Sequence, residues 1–258
     1  MPVPKNHLKA ALATKTPQIG IWLSLASAYS SELLSDVGFD WLLIDAEHGP
    51  NDIPTILSQA QTIGARSNVV VRPPIGEAWI IKQILDLGVQ SLLIPMIESV
   101  EQAKSVIAAT LYPPKGIRGV GAGSARASNF GQMADYVQNA NREICLILQV
   151  ESRAGLAALP AILALDDVDC VFVGPADLAA DMGYPGNSAA PAVQTAIDDA
   201  LRQIVASGKA AGILTFDTAA VPHYLALGVT FVGVGSDVAL LARAATRLAL
   251  DMKGLLAG

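Results

Sequence analysis

Short apolar runs and longer amphipathic stretches alternate along the whole chain. The runs are QIGIWLSL (18–25), FDWLLIDAEH (39–48), NVVVRP (68–73), QSLLIPMIE (90–98), ICLILQVES (144–152), DCVFVGPAD (169–177), AAGILTF (210–216) and TFVGVGSD (230–237). They are short, rich in β-branched residues and apolar at consecutive positions, the pattern of parallel strands buried on both faces. Between them, SAYSSELLSDVG and EAWIIKQILDLG carry helical periodicity and stop at glycine. NDIPTILSQAQTIG opens on the capping residues Asn51 and Asp52. SVEQAKSVIAATLYPP opens on Ser99, with Glu101 one place short of a capping box. PAVQTAIDDALRQIVASG and SDVALLARAATRLALDMKGLL are long helical patterns, and TAAVPHYLALG is a short one carrying Pro222.

Eight strand-then-helix units with no linker between them predict a single α/β domain over 1–258, a (β/α)8 TIM barrel. An open doubly wound sheet is the alternative. One connection, KGIRGVGAGSARASNFGQMADYVQNANRE (115–143), is longer than a compact barrel needs and is expected to act as a lid. Its Gly119, Gly121 and Gly123 follow no strand at dinucleotide-fold spacing. They read as loop flexibility, and no nucleotide cofactor is expected.

Composition narrows the partners. Hydrophobic residues make up 52% of the 258 positions and charged ones 16%, enough to bury a large core. The net charge of −6 leaves no basic stripe for a phosphate backbone, so nucleic acid is not an expected partner. No apolar run reaches the roughly 18–20 residues that span a bilayer. The opening MPVPKNHLKAALATKTPQ lacks the apolar core and cleavage site of a signal peptide. Cys145 and Cys170 each sit in a strand-like run and read as reduced core thiols. A cytoplasmic protein is expected, and the high apolar content fits an oligomer.

In such a barrel the chemistry lies at the C-terminal ends of the strands. The runs end, in order, on Trp22; on Asp45, Glu47 and His48; on Arg72; on Glu98; on Gln149 and Glu151; on Gly174, Pro175, Ala176 and Asp177; on Thr215 and Asp217; and on Gly235, Ser236 and Asp237. Some have a plain structural reading. Ser236 and Asp237 suit a helix cap, as does Asp217, Glu98 suits a helix start, and Trp22 suits the core. Others resist it. Gln149 and Glu151 are two apart and share one side of their strand. Asp177 ends the neighbouring run, and adjacent strands lie about 4.8 Å apart, so two carboxylates meet at the mouth. A divalent cation resolves that repulsion, and oxygen donors suit Mg²⁺, Mn²⁺ or Co²⁺. Arg72 ends a buried strand and needs an anion, either substrate or carboxylate. None of the lysines ends a strand, and Lys209 begins one, at the wrong end of the barrel. Schiff-base chemistry is therefore not expected, and a metal must withdraw the electrons instead.

IDAEHGP, VRPP, LDLGVQSLLIPMIES, YPPKGIRGVG, QVES, VGPADLAADMG and GVGSDVALL together resemble, in order and spacing, the metal-dependent (class II) pyruvate aldolases of the HpcH/HpaI family. The resemblance covers nearly the whole chain. It implies a (β/α)8 barrel whose last helix is exchanged between subunits, in a hexamer of paired trimers. It implies a divalent metal on Glu151 and Asp177, with Gln149 and Arg72 contacting pyruvate. The backbone of Gly174, Pro175, Ala176 and Asp177 would hold the substrate carboxylate. Trp22 would line the pocket, and Leu214 would bear on aldehyde specificity. His48 would transfer protons, with Asp45 and Glu47 around the metal's waters.

The family's remaining residue matches Asp86, in ILDLG at a helix C-terminus. A helix in this barrel runs back towards the opposite face, so Asp86 is expected to serve His48 of a neighbouring subunit. The expected reaction is reversible cleavage of a 4-hydroxy-2-oxo acid to pyruvate or hydroxypyruvate plus an aldehyde, through a metal-stabilised enolate. The rival readings are an acyl-CoA lyase of a related barrel, a phosphosugar isomerase using GVGSD as a phosphate site, and a non-catalytic barrel. Few basic residues at the mouth disfavour CoA. The isomerase leaves Glu151 and Asp177 unexplained, and the intact polar strand ends disfavour a barrel without activity.

Overall fold

In the computed structural model, which describes residues 2–256, the eight apolar runs become eight parallel strands. They are β1 (Gln18–Leu23), β2 (Trp41–Asp45), β3 (Asn68–Arg72), β4 (Ser91–Ile94), β5 (Cys145–Val150), β6 (Cys170–Val173), β7 (Ala210–Leu214) and β8 (Phe231–Ser236). Each pairs with the next, and β8 pairs with β1, closing the barrel. Around it lie α1 (His7–Ala13), α2 (Ala28–Ser35), α3 (Ile53–Ile63), α4 (Ala78–Asp86), α5 (Val100–Thr110), α6 (Tyr136–Asn139), α7 (Arg153–Leu163), α8 (Pro175–Asp181), α9 (Pro191–Ala206), α10 (Val221–Ala226) and α11 (Asp237–Leu256). Among the described residues no helix is long and apolar enough to cross a membrane.

Period two sorts each strand into two layers. On β2, Leu42 and Ile44 face the helices, while Trp41 and Leu43 face the axis. On β5, Leu146, Leu148 and Val150 face outward, and Cys145 and Ile147 face inward. The inward phase continues to Asp45, to Arg72 after Val70, and to Gln149, so the axis changes from apolar to charged towards the mouth. Below that level the interior is filled by aromatic rings. Trp41 stacks on Phe231 at 4.1 Å and meets Trp22 edge-on at 5.4 Å. Glycines make room for them: a Cβ on Gly20 would come 2.0 Å from the Trp41 ring, and one on Gly233 2.4 Å from Trp22. At the N-terminal strand ends, α1 seals the barrel with Leu8 and Leu12, both buried in the interior cluster. Its N-cap residue Asn6 ties it down by donating to Ser91 Oγ (3.0 Å) and the Glu143 carbonyl (3.0 Å).

Two expectations change. Every strand stops before its apolar run does, so the polar tails form turns at the mouth rather than sheet. Asp177 in particular does not end β6, which stops at Val173; it lies in the first turn of α8. Pro175 opens that helix, where its missing N–H costs nothing.

The connection 115–143 is not loose and does not cover the mouth of its own barrel. It joins α5 to β5 on the opposite face and packs a small core of Tyr112, Ala122, Ala127, Tyr136 and Ala140. Arg118 donates to Asp86 (2.8 Å) and Arg126 donates to the Leu87 carbonyl, fastening the segment to the C-terminal end of α4.

The last helix stands apart. After Asp237 nearly all of α11 is exposed, including Leu241, Leu248, Leu250 and Leu255.

Candidate active site

The mouth is built outward from the last residues of β2 and β3. Asp45 and Arg72 are paired in register. Arg72 Nε donates to Asp45 Oδ1 (2.9 Å), and Nη2 donates to Oδ2 (2.8 Å). Its Nη1 lies 2.8 Å from Glu47 Oε2, an ion pair without hydrogen-bond alignment. Burial alone would pull the Arg72 pKa down. Asp45, then Glu47 and Glu151, more than offset that, and the guanidinium is held above its ordinary value.

Asp45 also shapes the turn beyond it. Its Oδ1 accepts from the backbone N–H of Glu47 (3.1 Å) and lies 3.4 Å from that of His48. Asn51 donates to the Asp45 carbonyl (2.7 Å), and Gln59 of α3 donates to Asn51. Gly49 is required here, because a Cβ would sit 2.4 Å from the Asp45 carbonyl oxygen. The turn leaves Glu47 half-buried and His48 out in the mouth, its side chain 66% exposed and its Nε2 3.9 Å from Glu47 Oε2.

Across the mouth, β5 supplies Gln149 and, just past its end, Glu151, both buried. Glu151 Oε1 accepts from the Met96 N–H (2.9 Å), and Gln149 Nε2 donates to Oε2. A Cβ on Gly174 would lie 2.3 Å from Glu151 Oε2, so only glycine leaves space for this carboxylate. Burial pushes the Glu151 pKa up to about 7. The Gln149 and Met96 bonds oppose the rise, and Asp177 and Glu47 add to it. Glu47 is likewise raised, chiefly by burial. Arg72 and then His48 oppose the rise, while Asp45 and Asp177 add to it.

Two buried polar atoms around this mouth have no partner, Trp22 Nε1 and Gln149 Oε1, while Glu47 Oε2 has only its ion pair with Arg72. Buried polar atoms are rarely left unsatisfied, and a cluster of them marks a place for a ligand. Glu151 is a buried carboxylate with no cation directly on it, beside the exposed Asp177. That set of oxygen donors fits a hard divalent cation. Among the described residues no group of three or more His, Cys, Asp and Glu side chains forms a ready-made cage. Two carboxylates would then leave further positions to substrate and water.

Most of the residues singled out in the sequence thus meet at one end of the barrel. Trp22 lies one layer deeper, packed on Trp41 and Phe172. Leu214 ends β7, half-buried against the interior cluster. Asp86 is elsewhere: its Oδ1 is held by Arg118, whose side chain is fully buried.

Two roles differ from the sequence reading. Ser236 caps α11 by accepting from Ala239 N–H (3.2 Å). Asp237, however, turns to β1 and accepts from Ser24 (2.8 Å) and Leu25 (3.2 Å), pinning the loop beside Trp22. Glu98 does not start α5, whose N-cap is Ser99; it accepts from Ser152 Oγ (2.8 Å). Asn51 braces the Asp45 turn, a role that "GPND", which signals only a helix start, does not reveal.

Known proteins are similar to this chain. Residues 18–244 match the HpcH/HpaI aldolase/citrate lyase family. A hydroxypyruvate/pyruvate aldolase of Deinococcus radiodurans is 55% identical over 249 residues, covering 96% of this chain and 90% of that protein. A 4-hydroxy-2-oxo-heptane-1,7-dioate aldolase of Shigella boydii is 52% identical over 246 residues, covering 95% and 94%. The crystal structure of a family protein from Burkholderia cenocepacia superposes with a TM-score of 0.92 at 40% identity, over 96% of this chain and all of that one. With its barrel, its charged mouth and these relatives, the chain belongs to the HpcH/HpaI aldolase/citrate lyase family.

Proposed function

We propose that this protein is a divalent-metal-dependent aldolase that reversibly cleaves 4-hydroxy-2-oxo acids to pyruvate or hydroxypyruvate and an aldehyde. The observation that carries this reading is the meeting of a paired arginine, a buried Glu151 and two unsatisfied polar atoms, Trp22 Nε1 and Gln149 Oε1, at one mouth. Relatives at 50% identity and above named for these reactions support it.

Glu151 and Asp177 would hold the cation, Mg²⁺, Mn²⁺ or Co²⁺, which when bound serves as the Lewis acid for the 2-oxo acid's keto and carboxylate oxygens. Arg72, kept charged by Asp45 and Glu47, would stabilise negative charge as it develops on the keto oxygen. Gln149 Oε1 and the backbone from Gly174 to Asp177 orient the oxo acid, with Trp22 beneath it. In cleavage the 4-hydroxyl loses its proton, the C3–C4 bond breaks, and the electron pair passes to the oxo acid as its enolate. C3 is then protonated. The exposed His48 imidazole carries these protons, because its ring nitrogens can both donate and accept and it reaches the mouth. Leu214 lines the side where the aldehyde leaves.

The same reading extends to assembly. Asp86 serves the His48 of a neighbouring subunit, and the segment 115–143 covers that neighbour's mouth as a lid. The exposed leucines of α11 are buried by helix exchange in a hexamer of paired trimers. The free, buried thiols Cys145 and Cys170 support a cytoplasmic setting.

Steady-state cleavage and condensation assays test the proposal. Pyruvate and hydroxypyruvate are paired with aldehydes of varied length and charge, with Mn²⁺, Mg²⁺, Co²⁺ or EDTA. Activity that survives EDTA, or that survives Arg72→Ala unchanged, overturns it.

A further inference from the structure

Three consecutive residues after β4 are each bonded to the end of β5. Met96 N–H donates to Glu151 Oε1 (2.9 Å) and Ile97 N–H donates to the Gln149 carbonyl (3.0 Å). Glu98 Oε1 accepts from Ser152 Oγ (2.8 Å). The turn that makes these bonds is strained: Met96 has φ +55°, a left-handed conformation uncommon outside glycine. Burial of its own side chain does not explain that conformation, because Met96 is 46% exposed. A single side chain from α5 bridges the turn. Gln102 Nε2 donates to the Met96 carbonyl (2.9 Å), and Gln102 Oε1 accepts from the Glu98 N–H (2.9 Å). Gln102 is itself fixed, since its N–H donates to the N-cap Ser99 Oγ (3.1 Å).

We propose that Gln102 is a positioning residue for the Glu151 carboxylate. By clamping Met96 in its left-handed conformation it keeps the Met96 N–H on Oε1. The rotation of the carboxylate, and with it the cation affinity of the site, is thereby set. This rests on the reading of Glu151 as a metal ligand. The competing role is simple capping of α5, which uses only the bond from Glu98 N–H to Gln102 Oε1. The two roles separate chemically. Gln102→Glu keeps an acceptor for Glu98 N–H but loses the donor to the Met96 carbonyl, whereas Gln102→Ala loses both.

The test is Mn²⁺ binding to the full-length protein by calorimetry, with the melting temperature measured in parallel. Wild type, Gln102→Ala, Gln102→Glu and Glu151→Gln are compared. The expected result is that Glu151→Gln abolishes binding and that both Gln102 variants weaken it about tenfold, as partners that orient a ligand commonly do. Gln102→Glu should do so although it adds a negative charge and keeps the cap. If Glu151→Gln abolishes binding but Gln102→Glu binds like wild type, Gln102 only caps its helix and the proposal is overturned while the metal reading stands. If Glu151→Gln binds Mn²⁺ like wild type, the metal reading falls and this inference falls with it.

Discussion

Asp45 and Arg72 stand side by side at the ends of β2 and β3, joined by two parallel hydrogen bonds of 2.9 and 2.8 Å. The same Asp45 oxygen that receives Arg72 Nε also receives the Glu47 backbone N–H. One buried carboxylate therefore fixes both the guanidinium and the turn that presents His48.

That dependence makes Asp45 a sensitive position. Asp45→Asn keeps the size of the side chain but offers Arg72 a neutral group. Removing one member of a buried ion pair costs about 3–5 kcal/mol, here reduced because Glu47 Oε2 remains 2.8 Å from Arg72 Nη1. The expected outcome is a fall in kcat/KM of about 100-fold or more, as for loss of an oriented charge at a reacting oxygen. Unfolding midpoints in urea should fall further for Asp45→Ala, which also loses the turn acceptor, than for Asp45→Asn. Unchanged kinetics in Asp45→Asn would mean that Arg72 does not need Asp45 to act.

Gly174→Ala isolates a different link. The backbone of Gly174, φ −91° and ψ 101°, is open to any residue. Alanine is thus excluded only by what its Cβ meets, Glu151 Oε2 at 2.3 Å and Glu151 Cβ at 2.8 Å. The carboxylate must move, and the Gln149 bond moves with it. Mn²⁺ affinity is expected to drop roughly 10–100-fold, with some fall in urea midpoint from the Cβ–Cβ overlap. A variant that binds Mn²⁺ normally would show that Glu151 can take another position without loss.

Much of this site can be read along single strands, because period two is local information. QVES places Gln149 and Glu151 on one side, and IDAEH ends a buried run in charge. Relations between strands are less legible. Nothing in GVGSD says that Asp237 reaches across to Ser24, and nothing in VGPAD says that the strand stops at Val173 so that a short helix carries Asp177. The interior glycines are also silent in isolation; Gly20 and Gly233 acquire meaning only from Trp41 and Trp22, which approach them. The segment 115–143 is the clearest case. Its length sets it apart from the other connections, but its side of the barrel follows from topology, since every helix-to-strand connection lies opposite the mouth.

The Glu151 carboxyl gives the protein a defined pH response. Its pKa in the fold, about 7, lies above the ordinary 4.5. The folded protein therefore keeps a proton that the unfolded chain gives up, and stability falls as pH rises from about 4.5 to about 7. Integrated over that window the loss is roughly 3 kcal/mol, and Glu47, raised in the same direction, adds to it. A divalent cation replaces the proton, so stabilisation by Mn²⁺ should be small at pH 5 and large at pH 8. Melting curves across this range, with Mn²⁺ or EDTA, check the sign. Glu151→Gln should flatten the EDTA profile and abolish the Mn²⁺ gain. A Mn²⁺ gain that does not grow with pH would exclude Glu151 as the group the cation displaces.

His48 and Asp86 supply the last prediction. His48 leaves the mouth side of the barrel with a mostly exposed ring, while Asp86 ends a helix that has run to the opposite face, where Arg118 holds one of its oxygens at 2.8 Å. Within one chain the two side chains belong to different ends of the fold. If they work as a pair, the pair forms between subunits, and two inactive variants can repair each other. His48→Asn and Asp86→Asn are each expected to lose about 100-fold or more in kcat/KM, the scale of a lost general acid–base group. Co-expressed and purified together through different tags, they form mixed oligomers in which some sites combine an intact His48 from one chain with an intact Asp86 from another. Activity of the mixed oligomer should exceed the sum of the two parents by well over tenfold. Parent-like activity in oligomers shown to be mixed would confine the reaction to one chain. Asp86 would then be left with the role its contact with Arg118 already gives it, anchoring the segment 115–143 to α4.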